Sequence, residues 1–457
     1  MGSLPILTVI EQSQISPPPS TVEDDKSLPL TFFDFMWLRQ PPVHYLFFYE
    51  HSITETQFLE KILPDLKQSL STTLQYFYPF AGNLFAYSSP DKKPEIRYVE
   101  GDSVTVTSAK CHLDFNQLTS NQPRECDKFY HLIPILGEST KASDYIKIPL
   151  FSVQVTFFPN HGISIGMTNH HVLGDATTRF CFMNAWTSIA RSGSTDSFLS
   201  NPTNLPFYDK SLVQNPKLDE SYLKFVKAET LKEDYQPQML SGPSNNKLRG
   251  TFVLTRNIMT ELKKTVLKEL PTLVYVSSFT VACAYIWSCL ASTKNVDEQQ
   301  IFGFVIDCRA RLDPPIPTTY FGNCLSGCMA MENTNLLKGK QGFINGAKLF
   351  GESLHKVLTN KDGIVLDLSL YEDIFADGML TTTMIGVAGT PKLKFYNMDF
   401  GWGTPKKVET VSIDYNGSIS MNACKDSDQD LEIGVCLPDI EMEAFVRVFD
   451  DGLKTYI

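Results

Sequence analysis

Hydrophobic and polar positions follow two different periods along this chain, and each change of period marks the start of a new element. Residues 146–158 and 162–168 alternate apolar and polar side chains with the two-residue period of strands. The P-N-H-G segment between them predicts a turn, so the two strands should form a hairpin. Over residues 176–190 the apolar side chains recur at helical spacing, which predicts a helix that ends at the following R-S-G.

Three other segments carry a clear pattern. The first residues of the chain predict a strand, and residues 56–74 predict a helix that ends before Y-P-F-A-G-N-L, where Pro and Gly favour a turn. Residues 276–291 are mostly apolar, but they are too few and too rich in hydroxyl groups to span a bilayer. A buried helix is the structure expected there.

Strand and helix patterns alternate in both halves of the chain, which predicts a mixed α/β fold. At 457 residues the chain is longer than one hydrophobic core normally supports, so two domains are expected. A polar, Pro-rich stretch with neither period follows the R-S-G and is typical of a connection between domains. We predict domains over residues 1–195 and 226–457, joined by a crossover loop over residues 196–225.

Composition narrows the class of protein. The net charge of −11 and the absence of a dense Lys/Arg run argue against a nucleic-acid partner. The start, M-G-S-L-P-I-L-T-V-I-E, lacks the basic segment of a signal peptide, and the ten cysteines form no C-x-x-C pair. These features predict a cytoplasmic enzyme with reduced thiols and no membrane partner. Without a coiled-coil heptad, a monomer is expected.

The first candidate for chemistry is T-N-H-H-V-L-G-D-A, at the predicted turn from strand to helix. Two of the eight histidines stand side by side there, and Asp175 follows His171 by four residues. A neutral imidazole can take a proton from a hydroxyl near neutral pH, which is the task of a general base in the acylation of an alcohol. On position alone, a hydrogen-bonded structural histidine is the commoner use of such a residue.

Two other chemistries compete for the same region. G-I-S-I-G matches the nucleophile elbow of serine hydrolases, but that serine must occupy a sharp turn between strand and helix, and Ser164 falls inside an alternating strand. The pair His170 and His171 could suggest a metal, yet adjacent strand residues point to opposite faces and no further ligand stands at a suitable spacing. No metal site is therefore predicted. Without a persuasive nucleophile, direct transfer in a ternary complex is favoured over an acyl-enzyme.

A second motif, D-F-G-W-G at residues 399–403, is long enough to carry more weight than the first. Together the two motifs resemble those of the plant BAHD acyltransferases, which use coenzyme A thioesters. The resemblance extends over the whole chain through L-P-L-T-F-F-D, Y-P-F-A-G-N-L and Y-F-G-N-C. Y-F-G-N-C, G-V-A-G-T-P and L-P-I-L-T-V-I-E-Q-S-Q are similar to the anthocyanin and flavonoid glucoside branch, in particular to chrysanthemum-type malonyltransferases.

This resemblance implies a chloramphenicol acetyltransferase-like fold of two similar-sized domains with mixed sheets and an active-site channel at their interface. His171 would be the base that deprotonates the attacking sugar hydroxyl. Asp175 would hold the turn by pairing with an arginine, either Arg309 or Arg311. Asp399 would stabilise the architecture of the site from outside the chemistry.

The resemblance also implies the substrates. A malonyl group would pass from malonyl-CoA to the 6''-hydroxyl of the glucose of an anthocyanidin 3-O-glucoside or a related flavonoid glucoside, with no tightly bound cofactor. An arginine can grip the donor's carboxylate through two hydrogen bonds, and Arg179 is the candidate. Its alternative role is an i,i+4 ion pair with Asp175. A hydroxycinnamoyl donor is the rival within the family, and a serine esterase using Ser164 or an inactive ligand-binding protein are the rivals outside it.

Coenzyme A needs polar contacts for its phosphates and pantetheine. Ser277 and Ser278 precede the predicted buried helix, where hydroxyls and N-terminal amides can meet such oxygens, and Lys263 could supply charge. A helix N-cap and a solvated lysine are the simpler roles of the same residues.

Overall fold

The computed structural model describes residues 5–23, 25–89, 91–230, 246–360, 364, 383–415 and 417–456. In these residues the strands are β1 Leu7–Ile15, β2 Asp25–Pro29, β3 Val43–Glu50, β4 Asn83–Tyr87, β5 Glu95–Val99, β6 Val104–Cys111, β7 Arg124–Glu125, β8 Thr140–Lys141, β9 Tyr145–Pro149, β10 Phe151–Phe158, β11 Gly162–Asn169, β12 Lys247–Leu254, β13 Gln299–Asp307, β14 Leu325–Asn333, β15 Thr383–Ala388, β16 Lys407–Thr410, β17 Ile419–Cys424 and β18 Ser427–Pro438. The helices are α1 Phe32–Phe35, α2 Glu55–Gln57, α3 Leu63–Tyr76, α4 Phe115–Thr119, α5 Asp127–Tyr130, α6 Ala176–Ser192, α7 Asp196–Leu199, α8 Pro216–Thr230, α9 Arg256–Glu269, α10 Ser278–Ser292, α11 Gly339–Leu358 and α12 Asp439–Lys454.

The strands form three sheets. A six-stranded sheet has the order β1-β6-β10-β11-β3-β16, a seven-stranded sheet the order β14-β13-β15-β17-β18-β12-β7, and a five-stranded sheet the order β2-β5-β4-β9-β8. β6 runs parallel to β10, and β15 runs parallel to both β13 and β17, whereas antiparallel pairs make up the rest of the ladders described. The expected mixed α/β class is confirmed.

Each half of the chain contributes a strand to the sheet of the other half. β16 pairs with β3 at the edge of the six-stranded sheet, with Val408 opposite Phe47. β7 pairs with β12 at the edge of the seven-stranded sheet, with Arg124 opposite Arg249. The two halves are therefore joined by main-chain ladders in two places, in addition to the crossover.

The elements predicted nearest the candidate motif are present. β10 and β11 form the predicted antiparallel hairpin, and Asn160 in its turn has a φ of 65°. α6 follows β11 and ends at Gly193, whose φ of 66° lies in the left-handed region that favours glycine. The helix predicted over residues 56–74 is also found, as a continuous run of α2, a π-helical turn and α3.

One strand prediction is wrong. Residues 146–158 form two strands in different sheets, because β9 belongs to the five-stranded sheet and β10 to the six-stranded sheet. Leu150 separates them, and its carbonyl oxygen accepts the N–H of His170 at 2.9 Å. The hydrophobic alternation changes phase at this junction, because Leu150 and Phe151 are adjacent apolar residues. Pro149, which has no N–H to continue a ladder, is a second local mark of the change.

The segment predicted as a crossover loop is built largely from short helices. α7 lies at its start, two 3₁₀ turns follow, and α8 begins at Pro216. The polar residues that predicted a loop instead cap these turns, as where the side chain of Asn201 accepts the N–H of Thr203 at 3.1 Å. Residues 231–245 lie outside the described residues, and the two domain boundaries stay a prediction.

α10 is apolar on every side, as expected of the predicted buried helix. Residues 280–291 are all buried, and α9, α11 and α12 pack around them. Within this core the indole N–H of Trp287 donates to the side chain of Gln300 at 2.9 Å, which satisfies a polar group that would otherwise be stranded. In the part of the chain that the structure describes, no helix is long and apolar enough to cross a membrane.

Candidate active site

The first motif lies where β11 ends and α6 begins. His171 opens a single 3₁₀ turn, His171–Leu173, and Gly174 follows with φ 150° and ψ 171°. L side chains avoid this conformation, and a Cβ on Gly174 would lie 2.6 Å from the Cβ of Thr178. A glycine is therefore needed between the histidine and Asp175 for the chain to enter α6 in this direction.

The carboxylate of Asp175 is surrounded by hydrogen-bond donors. It caps α6 by accepting the N–H groups of Thr177 and Thr178 at 3.0 and 3.2 Å. Arg309 donates to both carboxylate oxygens, at 2.7 and 3.1 Å. The N–H of Cys324 adds a further bond of 3.1 Å. Of the two arginines expected as the partner of Asp175, the structure selects Arg309.

This ion pair keeps Asp175 charged. Burial alone would raise its pKa, but the charge and hydrogen bonds of Arg309, helped by main-chain donors, hold the pKa of Asp175 below its usual value. A carboxylate held in this way is a poor proton acceptor. The other arginine, Arg311, is exposed and donates to the main-chain oxygen of Asp307 at 2.7 Å, so it has no part in the pair.

His171 is half-buried beneath an aromatic side chain that the motifs did not indicate. The indole of Trp37 lies parallel to the imidazole, with ring centroids 3.9 Å apart and 11° between the planes. Burial lowers the pKa of His171 to about 3, and the positive charge of Arg179 adds to the effect. The ring is thus neutral at physiological pH, as a general base must be. Its Nδ1 is buried and has no hydrogen-bond partner in the described part of the chain.

A hydrogen-bond network that sequence reasoning missed holds the main chain of His171. The side-chain Nδ2 of Asn323, in Y-F-G-N-C, donates to the carbonyl oxygen of His171 and to Oδ1 of Asp34, both at 3.1 Å. The main-chain N–H of Asn323 donates to the same Oδ1 at 3.0 Å. Both side chains are fully buried. The motifs that contain them contributed only to the family resemblance, because nothing local in the sequence joins residues so far apart.

Lys210, from the crossover, completes this network. Its ammonium donates to the carbonyl oxygen of Phe321 at 2.9 Å and lies 3.6 Å from Oδ2 of Asp34. Burial lowers the pKa of Lys210, while the negative charge of Asp34 opposes that shift. The crossover thus places a buried cation beside the buried carboxylate of Asp34.

Arg179 turns away from Asp175. Its Nη1 donates to the carbonyl oxygen of Gly174 at 2.8 Å, and its guanidinium carbon lies 5.5 Å from the centre of the Tyr45 ring. The side chain is 6% exposed, and its Nε is buried without a hydrogen-bond partner in the described part of the chain. Asp175 is occupied by Arg309 instead. The i,i+4 ion pair, the alternative role of Arg179, is therefore absent from the described residues.

The D-F-G-W-G segment forms a tight turn that Asp399 holds from within. Oδ1 of Asp399 accepts the N–H of Gly401 at 2.8 Å and that of Gly403 at 3.0 Å. The two glycines have φ values of 100° and 94°, which few other residues adopt. Trp402 packs edge-on against Tyr49 of β3, with ring centroids 5.6 Å apart. In this geometry Asp399 orders the turn that leads into the exchanged strand β16.

Comparison with known proteins identifies the family. The model of the Transferase family matches residues 6–451 of this chain. The malonyl-coenzyme A:anthocyanin 3-O-glucoside-6''-O-malonyltransferase of Dahlia pinnata is 49% identical over 468 aligned residues, which cover 100% of each chain. The chain belongs to the Transferase family. The resemblance to the BAHD acyltransferases drawn from the motifs is confirmed.

Further relatives agree with this assignment. The malonyl-coenzyme:anthocyanin 5-O-glucoside-6'''-O-malonyltransferase of Salvia splendens is 39% identical, over 97% of this chain and 94% of its own. Among solved structures, vinorine synthase matches with a TM-score of 0.65 and 19% identity, over 96% of each chain. That likeness shows the same fold. The protein is an acyltransferase of the BAHD family.

The geometry of this BAHD chain argues against the serine esterase. Ser164 lies inside β11, paired across the sheet with Thr156 and Phe48, and its side chain is fully buried. Its Oγ has no hydrogen-bond partner among the residues that the structure describes, so none of them can act as its base. A nucleophile elbow needs a sharp, exposed turn, and this residue occupies the opposite environment.

One group in the described residues could offer ligands to a metal, and it does not include the predicted site residues. Cys126, Asp414 and Cys436 have potential ligand atoms within 4.8 Å of one another. The carboxylate of Asp414 already accepts hydrogen bonds from Arg249 at 2.5 Å and from Tyr130 at 3.1 Å. This group is therefore engaged in the packing of the two halves of the BAHD fold.

The three residues proposed for coenzyme A belong to two helices that pack against each other, α9 and α10. Ser277 is the N-cap of α10, with its hydroxyl accepting the N–H of Thr280 at 3.0 Å, and Ser278 begins the helix. Lys263 is half-exposed on α9. Among the described residues no hydrogen bond or ion pair connects them to the turn of His171. Their part in binding coenzyme A stays a prediction.

Proposed function

We propose that this BAHD enzyme transfers the malonyl group of malonyl-CoA to the 6''-hydroxyl of the glucose of an anthocyanidin 3-O-glucoside or related flavonoid glucoside. The observation that carries the proposal is the neutral imidazole of His171, placed at the end of β11 beside an Asp175 that is committed to Arg309. The Dahlia relative, by its name, uses this donor and this acceptor. Malonyl-CoA is a co-substrate, and the chemistry needs no tightly bound cofactor.

The transfer needs one base and no covalent intermediate. His171 takes the proton of the glucose hydroxyl as that oxygen attacks the thioester carbonyl carbon. The new C–O bond forms, the C–S bond breaks, and the thiolate of coenzyme A receives the proton that the imidazolium returns. Because Nδ1 of His171 is enclosed by protein, Nε2 is the ring nitrogen that serves the hydroxyl.

Arg179 would bind the free carboxylate of the malonyl group. Its Nη1 donates to the carbonyl oxygen of Gly174, directly after the turn of His171, so its charge lies beside that turn and adds to the lowering of the pKa of the ring. It is buried, and no ion pair with an acidic side chain of the described residues satisfies it. A buried cation gains most from an anionic ligand that replaces lost water. A hydroxycinnamoyl group offers no carboxylate, which favours malonyl over the rival donor.

The test mixes purified protein with an anthocyanidin 3-O-glucoside and, in separate reactions, malonyl-CoA, acetyl-CoA and coumaroyl-CoA. Product mass is followed, and His171→Ala is the control. We expect a malonyl mass increment that is lost in the variant. A product from coumaroyl-CoA alone would reassign the donor, and no product from any donor would refute the proposal.

The remaining roles belong to the same proposal. Ser277 and Ser278 would contact coenzyme A because they stand at the N-terminal end of α10, and Lys263 on the neighbouring α9 would supply charge. Asp399 would act only through the turn that it orders. We further propose a cytoplasmic monomer, which size-exclusion chromatography with light scattering and localisation of a tagged protein would test.

A further inference from the structure

Asp34 reaches both the main chain and the ring of His171 through one intermediary each, by its carboxylate in the first case and by its main-chain oxygen in the second. Its Oδ1 accepts two N–H groups of Asn323, and Asn323 in turn donates to the carbonyl oxygen of His171. The main-chain oxygen of Asp34 accepts the N–H of Trp37 at 3.0 Å, and Trp37 covers the imidazole. Asp34 thus supports both the main chain of His171 and the indole that covers its ring.

The other carboxylate oxygen of Asp34 holds the start of α1, the helix to which Asp34 belongs. Oδ2 accepts the main-chain N–H and the hydroxyl of Thr31, at 3.0 and 3.1 Å, in the capping box of α1. Lys210 faces the same oxygen at 3.6 Å. α1 has only four residues and could not keep its position as an isolated helix. This carboxylate helps to hold it in place, together with the buried phenylalanine side chains of the helix.

We propose that Asp34 and Asn323 are positioning residues for the transfer, which aim Nε2 of His171 at the acceptor hydroxyl without touching substrate. The proposal rests on the proposed function, in which His171 is the base. The histidine stands on a single 3₁₀ turn, and Asn323 reaches that turn from the second half of the chain. A displacement of about 1 Å at a reacting group can cost about 100-fold in rate, so small losses of support are measurable.

The pH dependence of kcat/KM distinguishes a change in the position of the His171 ring from a general loss of folded protein. The charged and titratable groups around the ring are His170 and Asp175 in its own turn, Arg179 on α6, and Asp34 behind Asn323, with Arg309 behind Asp175. None of these is removed when Asn323 is truncated. A shift of the acid limb in such a variant therefore reports a ring that has moved into water, because the enclosed ring owes its low pKa first to burial.

The experiment compares Asn323→Ala with a control variant on α6, Thr178→Val, which contacts the same segment as Asn323. The hydroxyl of Thr178 exchanges hydrogen bonds with the N–H and the carbonyl of Gly322, at 3.1 and 3.0 Å, so its loss also loosens residues 320–324. No hydrogen bond joins that hydroxyl to His171 in the described residues. Steady-state kinetics with malonyl-CoA, the pH dependence of kcat/KM and the thermal midpoint are measured for both variants.

We expect Asn323→Ala to lower kcat about 10- to 100-fold, to leave KM for malonyl-CoA nearly unchanged, and to move the acid limb to higher pH. Thr178→Val should lower the thermal midpoint to a similar extent and leave the limb in place. Three results would overturn the proposal. The acid limb of Asn323→Ala could stay in place, its kcat could fall no further than its fraction of folded protein, or both variants could show the same kinetic change.

Asp34→Asn keeps the shape of the cap and gives a second variant if Asn323→Ala does not fold. As members of one unit, the two residues should be non-additive, so Asp34→Asn combined with Asn323→Ala should have about the kcat of the weaker single variant. Fully additive losses would contradict a shared role. An active His171→Ala enzyme would instead refute the proposed function, and the two failures remain distinguishable.

Discussion

The imidazole of His171 lies face to face with the indole of Trp37, 3.9 Å away and tilted by only 11°. The stack closes one face of the base to water. It contributes to the burial that lowers the pKa of His171 to about 3, and so to a ring that stays neutral well below physiological pH.

Trp37→Ala should open this face and raise the pKa of His171 towards its ordinary value of about 6.5. The base form is the active one, so activity is lost as pH falls through that pKa, and the acid limb of kcat/KM should move to higher pH. Trp37→Phe keeps an aromatic cover and should give a smaller shift. A pH–rate profile from mildly acidic to neutral pH measures both. An unmoved limb in the alanine variant would show that the stack does not set the pKa.

Arg309 and Arg311 are two residues apart in the sequence, and their contributions to the free energy of unfolding should differ sharply. Arg309→Ala leaves the carboxylate of Asp175 buried without its partner, which typically costs about 3–5 kcal/mol in free energy of unfolding. Arg311→Ala removes one exposed hydrogen bond and should unfold close to wild type. Urea unfolding followed by tryptophan fluorescence compares the two. Equal destabilisation would contradict the assignment of the pair.

Arg179→Ala should act on the choice of donor. Hydrogen bonds to a charged group contribute about 1.5–3 kcal/mol, so kcat/KM with malonyl-CoA should fall by about 10- to 100-fold. Acetyl-CoA has no second carboxylate and should be used about as well as by the wild type. The ratio of kcat/KM for the two donors is the measurement. An equal loss with both donors would mean that Arg179 supports the turn at Gly174 and does not read the carboxylate.

Two variants of Asp399 distinguish a structural role of this residue from a chemical one. Asp399→Asn retains an Oδ1 that can accept the N–H groups of Gly401 and Gly403, whereas Asp399→Ala removes both bonds. The alanine variant should lose about 1–3 kcal/mol in free energy of unfolding, and the asparagine variant much less. Activity should follow the same order. An asparagine variant as inactive as the alanine variant would assign the carboxylate a chemical role.

The sequence predicted those elements in which one hydrophobic period continues from the first residue to the last. The hairpin of β10 and β11, α6 and the buried α10 follow from such runs, and the glycine-rich turns follow from their own backbone requirements. The alternation does change phase at Leu150 and Phe151, where β9 gives way to β10, but a local pattern cannot show that the second strand joins another sheet. The pairing of β16 with β3 was equally invisible, since strand pairing across the chain leaves no local signal.

The same limit applied to the site. His171 and Asp175 were within reach because they belong to the first motif, and the family resemblance narrowed the partner of Asp175 to Arg309 or Arg311 without choosing between them. The cover by Trp37 and the support from Asp34 and Asn323 were not. The contact between the last two spans 289 positions of the sequence, and nothing short of the folded chain brings them together.

The exchange of β7 and β16 between the halves has a mechanical consequence. A hinge motion that separates the two halves about the crossover would have to break two ladders. One joins Lys407–Thr410 to β3, and the other joins β7 to β12. The cost of breaking several buried main-chain hydrogen bonds opposes any such opening. The two halves are therefore held together at both sheet edges, and a rigid-body hinge motion between them is disfavoured.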